Sequence, residues 1–251
     1  MTEPLRQTHT AAPLSGPVVL AVDTSAPQAG LALTAGATLL AEISDHSGRP
    51  HSQTLFPNLE QLLSEASLTP GEVDAFAVIT GPGSFTGLRV GMAAVSGLAQ
   101  TLGRPAFGVT TLDAWALAAG VIGRILVMID AMRGEVFCGL REAGQSAQGI
   151  TVKTLAADCS AVPDKALAQL RPELIAGPLF VVGSGAVRYE AILNRELDDS
   201  PAAWRLVTEK KSLAASVARY GAQLLTAGTR PEVHAYYLRP ADAELKFPAA
   251  S

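Results

Sequence analysis

Two aspartates close apolar runs of similar design. VVLAVDTS puts Asp23 at the end of one, followed by Thr24 and Ser25, and GRILVMIDAMRG puts Asp130 at the end of another. A carboxylate at a strand end can orient water or Mg²⁺, and the amides of the hairpin that follows can bind phosphate oxygens. The GSG of VVGSGA, with Gly183 and Gly185, adds a further small-residue turn of this kind. The bland alternative is that both aspartates merely cap strand-end turns. Sequence alone leaves both readings open.

The stretch ITGPGSFTGLRVG, from Ile79 to Gly91, is the second place where chemistry is conceivable. It is no Walker A loop: Leu88 follows Gly87 where a lysine is needed. A dinucleotide fingerprint fails at Thr86, where its third glycine belongs. Ser84 does not sit in a G-x-S-x-G elbow and has no evident histidine partner. A structural role fits better. Gly87, Gly91, Ala94, Val95 and Leu98 recur at helical spacing. Each glycine costs a helix about 0.5–1 kcal/mol relative to alanine, and close approach of another helix offsets that cost. The neighbour is either within the chain or a partner.

Metal chemistry finds little support. The histidines are His9, His46, His51 and His234. His46 and His51 can meet near one loop, but two imidazoles without a third ligand do not make a metal site. Cys138 and Cys159 lie in no CxxC or zinc-type spacing and read as small buried hydrophobes of a reduced compartment.

The elements that position these residues follow from periodicity. The chain has 251 residues, 48% of them hydrophobic and 17% charged, which supports a folded core and argues against a disordered chain. Lys plus Arg number 19 and Asp plus Glu 23, for a net charge of −4, so no general attraction to nucleic-acid phosphates is expected. No apolar run approaches membrane-span length, and residues 1–16 lack a secretory pattern and read as a frayed tail. Strands are expected over Val18–Ser25, GLALT, Thr38–Ser44, Asp74–Thr80 and AFGVT. Helices are expected over HSQTLFPNLEQLLSEA and Gly87–Leu102. Pro57 implies that the first helix starts nearer to it or kinks. Leu55, Leu59, Leu62 and Leu63 share one face there. Gly123–Leu140 repeats the strand–Asp–turn–strand design, PLFVVGSGA and a helix from Tyr189 follow, and KSLAASVARYGAQLLTAG is a helix with Ser212 as N-cap. Arg141–Val162 carries no firm pattern, and HAYYLRPADAELKFPAAS reads as loop.

Two such units in tandem imply an α/β protein with a duplicated ribonuclease H-like fold of the actin, Hsp70 and sugar-kinase type, in two lobes. The expected division is residues 17–109, then 110–206, with a change of lobe near Val109–Ala119. A C-terminal helix and tail, 207–251, would pack back on the first lobe.

The series DTS, HSQTLFPNLEQLL, GPGSFTGLRVGMAAVSGLAQTLGRPAFGVTTLDA and IDAMRGEVF, with the late YLRP, closely resembles the TsaB (YeaZ-type) family. That resemblance implies a cytoplasmic component of the machinery that makes threonylcarbamoyladenosine beside the tRNA anticodon. It implies a heterodimer with a TsaD-like paralogue that is the transferase, an associated TsaE-like ATPase, and tRNA reached only through the complex. In the TsaD paralogue the segment resembling GRPAFGVTTLDAW carries a metal-binding histidine pair, and the corresponding positions here are Thr111 and Trp115. The chain is therefore expected to be non-catalytic, to hold no metal and to bind no nucleotide alone, while nucleotide at the partner interface stays an open alternative. Asp23, Thr24, Ser25, Asp130, Gly183 and Gly185 would be a relic nucleotide site. The expected partner surface, also open to homodimers, comprises His51, Leu55, Leu59, Leu62, Gly87, Leu88, Val90, Gly91, Ala94, Val95 and Leu98. The readings from other classes are a stand-alone actin-like ATPase or small-molecule kinase, and a metallopeptidase.

Overall fold

The computed structural model describes residues 14–147, 149–197, 203–209, 211–230 and 232–239. Residues 1–13 of the expected tail, including His9, and residues 240–251 lie outside them.

Strand β1 (Val18–Asp23) is buried at every position, as a continuous apolar run requires when both faces of a sheet are covered. It pairs antiparallel with β2 (Ala29–Ala35), which pairs antiparallel with β3 (Thr38–Asp45). Strands β4 (Ala75–Ile79) and β5 (Ala106–Val109) add in parallel on the other side, giving the order β3-β2-β1-β4-β5. Helices α1 (His51–Glu65) and α2 (Phe85–Leu102) cover one face. Leu20, Val22, Leu55, Leu59, Leu62, Phe76 and Val95 interlock there. The alternate residues Val19 and Ala21 face helix α7 (Leu213–Thr226) with Ala77, Phe107, Val217 and Ala218. The C-terminal helix thus packs on the first sheet. At Gly221 of α7 a β-carbon would meet Val19 Cγ1 at 3.1 Å, so a small residue sets how closely helix and sheet approach.

The second sheet repeats the first. Strand β6 (Gly123–Asp130) pairs antiparallel with β7 (Val136–Ser146), and β7 pairs antiparallel with β8 (Gly149–Thr154). Strands β10 (Leu179–Val182) and β11 (Trp204–Leu206) add in parallel beyond β6. The resulting order, β11-β10-β6-β7-β8, is that of the first sheet read from its other end, with β9 (Cys159–Ala161) paired to β7 as an addition. Helix α4 (Pro163–Leu174) precedes β10. Helices α5 (Ser184–Arg188) and α6 (Glu190–Leu197) follow it, as α1 and α2 flank β4. Helix α3 (Thr111–Ala119) follows β5 as α7 follows β11. Its Ala114 and Leu117 join the core under the first sheet, while Leu112, Ala116 and Ala119 pack with Ile125 and Val127 of the second. This is the duplicated ribonuclease H-like fold in two lobes, with α3 and α7 between the sheets.

Three details depart from the sequence reading. Helix α1 starts at His51 and carries Pro57 within it, exposed on its outer side. Helix α2 starts at Phe85, two residues before the expected Gly87, because the Ser84 hydroxyl accepts the Gly87 amide at 3.3 Å and caps the first turn. The unpatterned Arg141–Val162 stretch continues β7 and supplies β8 and β9. Strand β8 has no buried residue, so no alternation marks it. Among the described residues no helix is long and apolar enough to cross a membrane.

Candidate functional site

The equivalent strands β1 and β6 end at a cleft of about 920 Å³ between the lobes. Asp23, Ser25, Asp130 and Ser184 line it, with His46, Thr111, Trp115 and Ser212. Asp23 Oδ1 accepts the Ser25 amide at 2.9 Å and the Ser25 hydroxyl at 2.6 Å, closing a tight turn. Asp130 is held by its own set of partners. Its Oδ1 accepts the Met132 amide at 3.0 Å, and its Oδ2 accepts from Arg188 Nη1 at 2.7 Å. The Asp130 amide donates to Ser184 Oγ at 3.1 Å. The Asp130 carboxylate therefore already has its counter-ion from this chain, and it holds the Arg188 guanidinium proton above its ordinary value.

The other residues of the sequence-level nucleotide set stand behind the cleft wall. Thr24 is fully buried. Gly183 and Gly185 let the α5 turn lie against β6: β-carbons there would fall 2.1 and 2.9 Å from Met128 O. Gly183 also has φ 125°, a backbone setting that suits glycine.

Helix α3 opens at the cleft. The Thr110 hydroxyl caps it by accepting the Asp113 amide at 3.0 Å. Thr111 and Trp115, one turn apart, both face the cleft. Neither side chain is a fit metal ligand beside the other, since Trp offers only an N–H donor and a neutral Thr hydroxyl binds cations poorly. Among the described residues no group of three or more His, Cys, Asp and Glu is arranged to hold a metal ion.

The glycine-rich helix corrects the expected partner surface. A β-carbon on Gly87 would lie 2.1 Å from Thr24 O, and one on Gly91 would lie 2.3 Å from Thr24 Oγ1. The close neighbour is the end of β1, within the chain. Leu55, Leu59, Leu62, Leu88 and Val95 are likewise buried in the first lobe. These seven residues are core, not outward surface, because the apolar stripe of an amphipathic helix turns toward its own sheet. Val90, Ala94 and Leu98 are half-buried at the edge of that core. His51 Nε2 donates to Ala26 O at 2.9 Å and so anchors the start of α1 to the β1–β2 turn. The outward faces instead carry Phe56, which is 53% exposed, and the small residues Ala93, Ser96 and Gly97. A β-carbon on Gly97 would meet nothing within 4 Å.

Sequence reasoning missed a strap at the cleft's edge. Residues Glu232–Arg239 run without regular structure from one lobe to the other. The Tyr236 amide donates to Thr80 O at 2.9 Å. Its hydroxyl donates to Asp158 Oδ2 at 2.9 Å. Tyr237 packs on Phe85 with ring centroids 4.9 Å apart, while the Arg89 guanidinium lies 3.8 Å from the centroid of the Phe85 ring and its Nε donates to the Tyr237 hydroxyl at 3.4 Å. Arg239 reaches Ala131 O at 3.3 Å and Glu135 at 3.1 Å in the second lobe. Glycine at 81 and 108 admits the strap, since β-carbons there would fall 2.3 Å from Tyr236 O and 2.7 Å from Glu232 O. The only sequence signal was YLRP, known by resemblance and not by pattern.

The comparisons with known proteins agree with this architecture. The family model of TsaD, tRNA N6-adenosine threonylcarbamoyltransferase, matches residues 39–221. A Mycobacterium tuberculosis protein described as uncharacterized is 41% identical over 121 residues, 47% of this chain and 56% of that one. The chain spans about half the length of several curated relatives that it matches, including that one. The tRNA threonylcarbamoyladenosine biosynthesis protein TsaB of Haemophilus influenzae is 30% identical over 189 residues, 72% of this chain and 78% of that protein. A Pseudomonas aeruginosa crystal structure, titled as a protein with similarity to peptidase YeaZ, superposes with a TM-score of 0.70 at 26% identity. It covers 89% of this chain and 100% of that chain. With a family model spanning most of the sequence and a TsaB relative aligned over more than two thirds of its length, the chain belongs to the TsaB (YeaZ-type) family.

Proposed function

We propose that this chain is the non-catalytic subunit of a threonylcarbamoyladenosine-forming machine. It docks on a TsaD-like paralogue that performs the transfer to the adenosine 3′ of the tRNA anticodon, a TsaE-like ATPase joins them, and tRNA is engaged only through the complex. The observation that carries this reading is the pair Thr111 and Trp115. They face the cleft from one side of α3 and offer no imidazole where the paralogue's metal ligands stand by resemblance. The tied state of Asp130 supports the further point that the chain binds no nucleotide alone.

The partner surface in this proposal is the outward face of α1 and α2. Phe56 supplies an apolar anchor, and Ala93, Ala94 and Gly97 allow close helix approach, with Val90 and Leu98 at the rim. A second copy could use the same face, and homodimers would then compete with the heterodimer. The test is reconstitution. Purified TsaD-like paralogue, the ATPase, threonylcarbamoyl-adenylate and unmodified tRNA are combined with and without this chain. Modified nucleoside should form only when it is present. Product formed by this chain without the paralogue, or undiminished product in its absence, overturns the proposal. ATP hydrolysis by the isolated chain would favour the stand-alone ATPase reading, for which Asp23 and Ser25 in the cleft are the supporting observation.

A further inference from the structure

Both cysteines lie outside the cleft and outside the proposed partner face, yet they meet. Cys138 of β7 and Cys159 of β9 are direct partners in the antiparallel ladder, and both are free. Opposed residues in such a ladder have Cα atoms about 4.5–5.5 Å apart, within the ~4.4–6.8 Å over which a disulfide can close. The two thiols already share a hydrogen bond. We propose that Cys138 and Cys159 form a reversible thiol–disulfide site that reacts with small-molecule disulfides.

The environments of the two thiols assign their roles. The hydrogen bond to Cys159 and complete burial push the Cys138 thiol well up, so Cys138 keeps its proton. The same hydrogen bond pulls the Cys159 thiol down. Cys159 is only half-buried, on a three-residue strand that pairs with β7. It is the attacking thiol, since reactivity follows the thiolate and its access. The Cys159 thiolate attacks one sulfur of the small disulfide, whose S–S bond breaks, and one small thiolate leaves with the electron pair and takes up a proton. Cys138 then gives up its proton and attacks Cys159 Sγ, and the second small thiol departs. The two protein thiols are oxidised with loss of two hydrogens, and the small disulfide is reduced to two thiols. Disulfides are rare in reducing compartments, and those that occur there are usually transient, as a bridge that forms and breaks in this way is.

The test uses the full-length reduced protein under native conditions. It is incubated with oxidised glutathione, quenched in acid, and analysed by intact mass and peptide mapping. The expected product has lost two hydrogens, carries no glutathione, and yields a Cys138–Cys159 cross-linked peptide that reduced glutathione reverses. Cys138→Ala should instead retain one glutathione on Cys159. Before oxidation, Cys159 should be alkylated at least roughly tenfold faster than Cys138. Stable glutathione adducts on the unsubstituted protein, a bridge that appears only in denaturant, or faster alkylation of Cys138 would each overturn the proposal.

Discussion

The Arg141 guanidinium is gripped by Asp158 through two parallel bonds, Nη1 to Oδ1 at 2.6 Å and Nη2 to Oδ2 at 2.8 Å. Arg141 is 1% exposed, and its Nε also donates to Asp113 Oδ1 of α3 at 2.5 Å. Burial alone would favour loss of its proton, but the two carboxylates prevail and hold the guanidinium above its ordinary value. Glycine at 139 makes room, since a β-carbon there would fall 2.2 Å from Asp158 Oδ1. The network joins β7, the interlobe helix and, through Tyr236, the strap.

Removing its centre should therefore be severe. Arg141→Met leaves the nearly buried Asp158 carboxylate without its counter-ion, and breaking a buried pair in this way costs about 3–5 kcal/mol. Denaturant unfolding followed by circular dichroism should show that loss. Asp158→Asn, which keeps one acceptor for Arg141, should cost less. Equal stability of Arg141→Met and the parent would mean the network contributes nothing net.

The strap should respond to alkali. Burial, then the hydrogen bond to Asp158, pushes the Tyr236 phenol up from 10.0 to about 12. The folded state thus favours the protonated phenol. Its stabilising contribution is complete below pH 10, declines as pH rises above that, and is gone beyond about pH 12. Tyr236→Phe should unfold at a slightly lower temperature at neutral pH, by about 1 kcal/mol for the lost hydrogen bond. It should also show a shallower fall in melting temperature between pH 10 and 12 than the parent. Parallel melting curves across that range would contradict the assignment.

Tyr237 tests the strap by a different contact. Tyr237→Ala removes the stacking on Phe85 and the hydroxyl that Arg89 reaches, an aromatic contact worth about 0.5–1.5 kcal/mol. Limited proteolysis should then cut within residues 232–239 faster than in the parent, while the two sheets stay resistant. Unchanged cleavage would show that the backbone bonds of the strap suffice.

How much of this was legible in the sequence depended on the range of the interactions. Strands β1, β4 and β6 and helices α2 and α7 announce themselves because period and burial agree locally, and the repeated strand–Asp–turn disclosed the duplication. Strand β8 did not, since its solvent-facing residues need no alternation. Arg141, Asp113, Asp158 and Tyr236 are far apart in the chain, and nothing in the spacing of charged residues indicates that four distant positions share one buried network. Cys138 and Cys159 read as two unrelated hydrophobes because their meeting is a matter of β7–β9 register. The glycines of α2 pointed to close approach of another helix, but the neighbour of Gly87 and Gly91 is the end of β1 and Gly97 has none within 4 Å, because spacing along a helix does not say what lies on each side of it.

That ambiguity becomes a paired experiment on one helix. At Gly91 a β-carbon would fall 2.3 Å from Thr24 Oγ1, with Val22 Cγ1 3.5 Å away, so Gly91→Leu must displace the end of β1. Overpacking of this kind costs about 1–3 kcal/mol or more, and the isolated chain should melt lower. Gly97, less than two turns further on, faces open space. Gly97→Leu should preserve or raise stability, because leucine is the better helix former by up to about 1 kcal/mol. On the proposed partner face the same side chain would hold a neighbouring helix away. Calorimetric titration with the TsaD-like paralogue should then show binding weakened at least about tenfold, or 1.4 kcal/mol, for Gly97→Leu. Unweakened binding by that well-folded variant would remove this stretch of α2 from the interface, whatever the outcome of reconstitution.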